Sequence, residues 1–146
     1  MDHFDIEYGQ KLNDFEIPRV YMLVFEFLTM LTHLSYAVFF FCNSVTFMGF
    51  FNIFSVVFYT YGIVAVARGT KSEPLIKAAL VEIVAHATVA TLFMGWDYGF
   101  QMYLICMVAV PFMFSLRQKF DSFALSIAII AIYFTLRIAC VYLGFT

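Results

Sequence analysis

Residues 82–103 read EIVAHATVATLFMGWDYGFQMY and combine ionisable side chains with a long apolar run. It places the carboxyl group of Glu82 and the imidazole of His86 one helical turn apart within an apolar run. It then closes with an aromatic turn, Trp96-Asp97-Tyr98, that has glycine on both sides. A charged Asp, Lys or Arg at the centre of a membrane helix costs about 2.5–3.5 kcal/mol on translocon-based scales, so an ionisable group at that depth is a functional hypothesis by default.

The composition predicts an all-α, polytopic transmembrane helical bundle. The chain has 146 residues, of which 64% are hydrophobic and 12% are charged, whereas soluble domains are about 25% charged. Its mean hydropathy is +0.91. The apolar runs leave no room for a soluble catalytic domain, so we expect this chain not to be an enzyme by itself. The net charge of −2 excludes the usual basic surface for nucleic acid, and the lipid bilayer is the expected partner.

Five apolar segments each have about the 20 residues that a ~30 Å hydrocarbon core requires. They predict spans at about 20–42, 47–67, 75–95, 98–115 and 122–145. Residues 1–19 form a polar leader, either an amphipathic helix on the membrane surface or a solvated segment. Pro111 is expected to kink the fourth span.

The distribution of cations predicts the orientation of the chain. The leader and the loops after the second and fourth spans, with the first residues of the third, hold seven of the eight Lys and Arg residues, whereas loops 43–46 and 96–98 hold none. The positive-inside rule therefore puts the N-terminus in the cytoplasm. Five spans would leave the C-terminus outside, and a sixth span, absent from this sequence, would return it to the cytoplasm.

Two pairs of ionisable residues are the candidate site. Glu26 and His33 are seven residues apart in the first span and share one helix face, as Glu82 and His86 do in the third span. Both spans run in the same direction, so depths can be compared directly. Both glutamates fall in the cytoplasmic half and both histidines near the middle.

Four interpretations of this arrangement are open. His33 and His86 could be the two axial ligands of a b-type haem, since imidazole is a common haem ligand and helical bundles hold such cofactors. Alternatively, each imidazole is a hydrogen-bonded packing group, or the four residues form a proton or ion path. A non-haem metal site is the fourth, although the Glu-x-x-x-His spacing differs from the Glu-x-x-His of di-iron bundles.

Three further polar residues lie within the predicted spans. Arg137 needs a partner, for which Asp97 or a residue of a span that this sequence lacks is a candidate, or it extends its guanidinium to the outer interface. Asn52 and Gln101 are expected to bridge helices.

Two segments carry a resemblance to a known family, namely residues 82–103 and the sequence FNIFS at 51–55. The chain resembles the multi-pass membrane region that precedes the catalytic domain in many bacterial diguanylate cyclases of the GGDEF type. Related regions precede some class III nucleotide cyclases. By position, the signature residues here would be as follows: Glu82, His86, Gly95, Gly99, Phe100 and Gln101.

The resemblance implies a sensory and dimerising input module in a bacterial inner membrane, linked to cyclic di-GMP signalling. The chain departs from the family in having no GGDEF sequence and no cytoplasmic domain. We therefore expect it to be the input region of a larger protein or a stand-alone relative that acts through a homodimer or a partner effector. The alternatives are a small cytochrome-like electron-transfer subunit and a proton-coupled carrier or structural membrane subunit.

Overall fold

The computed structural model describes residues 18–113 and 119–144, which are helical and contain no β-strand. The all-α prediction is therefore confirmed for these residues, whereas the predicted leader lies almost wholly outside them. The helices are α1 (Arg19–Cys42), α2 (Thr46–Ala67), α3 (Ser72–Met94), α4 (Met102–Met107), α5 (Val110–Met113) and α6 (Lys119–Leu143), with a 3₁₀ turn at Trp96–Tyr98. Among these, α1, α2, α3 and residues 122–142 of α6 are long and apolar enough to cross a membrane.

The fourth predicted span differs from the prediction, because two short helices, α4 and α5, replace one long helix. The apolar stretch Met102–Phe112 would be about 16 Å long as a helix, roughly half of a ~30 Å hydrocarbon core. The helix stops at Met107, whose carbonyl group the Pro111 ring would contact in a continuous helix. The proline thus interrupts the segment rather than only bending it.

One tight turn, residues 43–45, joins α1 and α2 into an antiparallel pair. At the end of α1, Val45 donates its backbone N–H to the Phe40 carbonyl at 2.9 Å and Ser44 donates to Phe41 at 3.1 Å. At the other end of the pair, the Nε of Arg19 donates to the Val66 carbonyl at 2.7 Å. A side chain at the start of α1 therefore satisfies the open carbonyl end of α2.

The outward faces of the long helices are apolar. Large hydrophobic side chains are more than half exposed on every one of them, for example Val38 on α1, Phe54 on α2, Val81 on α3 and Phe134 on α6. A water-soluble monomer does not expose contiguous apolar surface of this extent. These faces are suited to lipid or to other membrane helices.

The segment α4–α5 returns the chain to the level at which α3 begins. An apolar cavity of about 150 Å³ is lined by Ile76 and Ala79 of α3 and by Met107 and Val110. From there α6 runs back toward the Trp96 turn, since Ser122 donates to the Pro111 carbonyl at 3.0 Å and the Tyr133 ring lies 5.4 Å from that of Trp96. Helices α3 and α6 are therefore parallel.

Candidate functional site

Six side chains from α1, α2 and α3 form two hydrogen-bonded sets of three that meet where His33 faces Glu82, and together they are here called the polar cluster. They are His33 of α1, Asn52, Ser55 and Tyr59 of α2, and Glu82 and His86 of α3. Asn52, Ser55 and Tyr59 are fully buried, and the side chains of His33 and Glu82 are 7% and 9% exposed. A group this polar in an apolar bundle is stable only if its members satisfy one another's hydrogen bonds.

Asn52 joins the two histidines. Its Oδ1 lies 3.0 Å from Nδ1 of His33 and 3.1 Å from Nε2 of His86. Its Nδ2 donates to the Met48 carbonyl at 2.8 Å, which orients the amide so that the oxygen faces the two rings. Because an amide oxygen only accepts, His33 donates from Nδ1 and His86 from Nε2.

Glu82 is the acceptor at the other side of the cluster. Ser55 donates its hydroxyl to Oε1 at 2.5 Å, and Tyr59 donates to Oε2 at 2.7 Å. The remaining ring nitrogen of His33, Nε2, lies 3.6 Å from Oε2. A proton bound at that nitrogen would therefore form a buried ion pair with Glu82.

The aromatic rings around the cluster pack directly against one another. The centroids of His33 and His86 are 4.7 Å apart with the planes at 83°, and His33 stacks on Tyr59 at 5.3 Å. Phe51 covers His86 at 5.4 Å. The cluster is thus fixed by ring contacts as well as by hydrogen bonds.

The two imidazoles do not fit a bis-histidine haem in this arrangement. A porphyrin between two axial ligands separates their rings, whereas these rings are in edge contact and each has a nitrogen bonded to Asn52. Within residues 18–113 and 119–144, no group of three or more His, Cys, Asp and Glu is placed to hold a metal ion. The haem stays a prediction, and the hydrogen bonds favour the interpretation of the histidines as packing groups.

The other predicted polar residues form no hydrogen bond with the cluster. Glu26 is 2% exposed and packs against Gly62 of α2. Gln101 is buried after the Trp96 turn, and its Oε1 has no hydrogen-bond partner among the described residues. Arg137 forms no ion pair with Asp97, and its guanidinium lies 4.8 Å from the centroid of the Trp96 ring.

Sequence reasoning did not select Ser55 and Tyr59 as site residues. The signal was present, because Asn52, Ser55 and Tyr59 occupy positions i, i+3 and i+7 of α2 and so form a polar stripe on one face. Gly62 extends the same stripe by three residues. A stripe of this kind is a stronger indicator of a helix contact than any one of its members.

Comparisons with protein-family models, with curated proteins and with solved structures found no match.

Proposed function

We propose that this chain is the membrane-embedded sensory input module of a bacterial signalling protein and that the polar cluster is its switching element. In this proposal, the N-terminus is cytoplasmic in the inner membrane, and the output passes to a cytoplasmic effector of the cyclic di-GMP type through a homodimer or a partner protein. The chain itself performs no catalysis.

The observation that carries the proposal is the meeting of two motif segments at one site. Asn52 and Ser55 come from the FNIFS segment, and Glu82 and His86 come from the segment that begins at residue 82. Ser55 bonds to Glu82, and Asn52 bonds to His86. The bonded residues are 27 and 34 positions apart in the sequence. The fold therefore brings the two motif segments together at the polar cluster.

The chemistry of the cluster suits a switch. A signal can shift a helix bundle only if it has different affinity for two packings of the helices. Here the pairing of His33 with Glu82 changes with one proton or with displacement of one helix, and either event changes how α1 contacts α3. Small movements at such a site are amplified because packed interfaces rearrange between discrete states.

A chromosomal substitution tests the proposal. Glu82→Gln keeps the size of the side chain and removes its charge, so it should change the cyclic di-GMP concentration of the source bacterium at least several-fold. Glu73→Gln is the matched control, because it makes the same change on the same helix at a residue that pairs with Lys77 at 2.9 Å on the surface. Equal cyclic di-GMP concentrations in wild type and in both variants would contradict a role in this signalling.

The haem prediction is tested separately by the absorption spectrum of the purified protein, oxidised and then reduced with dithionite, after expression with added haem. A Soret band that is lost when His33 and His86 are both replaced by alanine would support haem as the sensed cofactor. A featureless spectrum would leave the polar cluster as a protein-only switch.

A further inference from the structure

Glu26 is a buried carboxyl group that the polar cluster does not use. Its side chain is 2% exposed, and Oε2 has no hydrogen-bond partner among the described residues. In the same bundle, Glu82 receives two hydroxyl donors and faces an imidazole. The two glutamates therefore have opposite surroundings, one of them well supplied with donors and the other without a donor at Oε2.

The helices α1 and α2 approach each other closely at Glu26. A Cβ atom placed on Gly62 would overlap severely with Oε2 of Glu26 and would lie only 3.1 Å from Oε1. The absence of a side chain at Gly62 is thus what admits the carboxyl group into the interface. The same packing excludes water from Oε2.

Within residues 18–113 and 119–144, no cation pairs with Glu26. On α1, Arg19 is seven residues earlier and donates to the carbonyl groups of Val66 and Ala67, and His33 is seven residues later and faces Glu82. On α2, the facing titratable group is Tyr59, whose hydroxyl proton is directed to Glu82. An ionised Glu26 would add a second buried negative charge near Tyr59, whose hydroxyl already donates to Glu82.

We propose that Glu26 is a proton-binding site that closes the interface between α1 and α2. Burying a carboxylate that has no donor at Oε2 costs far more than burying the neutral acid, so the packing of Oε2 at Gly62 favours a protonated carboxyl group. Loss of that proton to water leaves a carboxylate that the interface does not accommodate. The helices then separate at Gly62 until water reaches Oε2.

This inference does not depend on the sensory role. A proton on Glu26 stabilises the pair of helices whether or not the bundle transmits a signal. If the bundle is a sensor, the site gives it a response to proton concentration on the side where α1 begins.

Infrared spectroscopy of the protein in lipid vesicles at neutral pH provides the test. The C=O stretch of a protonated carboxyl group should be present in wild type, lost in Glu26→Gln and retained in Glu82→Gln. Glutamine resembles the neutral acid in size and lacks a charge, so Glu26→Gln should fold. A wild-type spectrum without this band, or a band that Glu26→Gln leaves unchanged, would overturn the proposal.

A second measurement tests closure of the interface independently. Spin labels on the exposed faces of α1 and α2, at Leu28 and Val57, should report a longer distance when the pH is raised in wild type. The distance should stay constant over the same range in Glu26→Gln. A constant distance in wild type, with the infrared band lost at high pH, would show that proton binding does not control the packing.

Discussion

At the scale of single residues, Asn52 does more than any other side chain to define the site. Its one carbonyl oxygen accepts from a histidine of α1 and a histidine of α3, while the amide itself belongs to α2. Three helices are thus connected through one atom. Polar bonds between membrane helices are individually modest, on average about 0.6 kcal/mol, but a buried group left without its partner costs about 1–3 kcal/mol.

Replacement of Asn52 by leucine should therefore destabilise the protein by about 2 kcal/mol, because two imidazole donors lose their acceptor together. Unfolding in mixed micelles with increasing SDS measures the effect. The control is Asn43→Ala, since the Asn43 side chain donates to the Phe39 carbonyl in the exposed turn after α1. Equal losses in the two variants would show that Asn52 contributes no more than a surface asparagine.

At the scale of helices and turns, the Trp96 turn decides where α3 ends and α4 begins. Gly95 has φ 94° and ψ 167°, a conformation that essentially only glycine adopts. Gly99 has φ 82° and ψ 5°, a left-handed conformation that other residues enter at a cost of about 1–2 kcal/mol. The two glycines that flank the turn thus differ in how strictly they are required.

Replacing Gly95 by alanine should therefore destabilise the protein more than replacing Gly99 does. Gly95→Ala should lower stability by on the order of 2–3 kcal/mol, and Gly99→Ala by about 1 kcal/mol. A Cβ atom on Gly99 meets no heavy atom of the described residues within 4 Å, so the second variant reports backbone strain. The same unfolding assay measures both, and a larger loss for Gly99→Ala would contradict this account of the turn.

The sequence predicted the elements unequally well, for physical reasons. Apolar length and polar loops are local properties, so they indicate α1, α2 and α3 directly. The interruption at Met107 was predicted only as a kink, because whether a proline bends a helix or ends it depends on what else satisfies the freed carbonyl groups. Here the Ser122 and Ser126 hydroxyls, which lie in α6, donate to the carbonyl groups of Pro111 and Val108.

The candidate site shows the same division. The sequence predicts that His33 and His86 lie at similar depth, because their two spans run in the same direction and depth can be counted from the start of each span. That both rings bond to Asn52 depends on how α2 is rotated between its neighbours, which only packing decides. Gly62 and the polar stripe at 52, 55 and 59 mark the face of α2 that contacts its neighbours. The sequence does not say which helices those neighbours are.

At the scale of the whole molecule, the interrupted segment α4–α5 decides on which side of the bilayer α6 begins. It is too short to cross as one helix, yet Val110 lies beside Ile76 at the beginning of α3. The end of α6 then lies on the same side as the Trp96 turn, because Arg137 and Tyr133 both contact Trp96. The structure therefore predicts that residues 43 and 144 lie on one side and residue 72 on the other.

Thiol labelling of intact cells can test this topology. Cys42 is exposed at the end of α1, so a variant with Cys106 and Cys140 replaced by alanine should react with a membrane-impermeant maleimide added outside. Gly144→Cys, made without the native cysteines, should react equally, whereas Ser72→Cys should react only after the membrane is permeabilised. If Cys42 is labelled from outside and Gly144→Cys is not, α4–α5 enters and leaves on one side, and α6 crosses in the opposite direction. Labelling of Ser72→Cys alone in intact cells would instead reverse the whole orientation, and Glu26 would then bind its proton from the outer side.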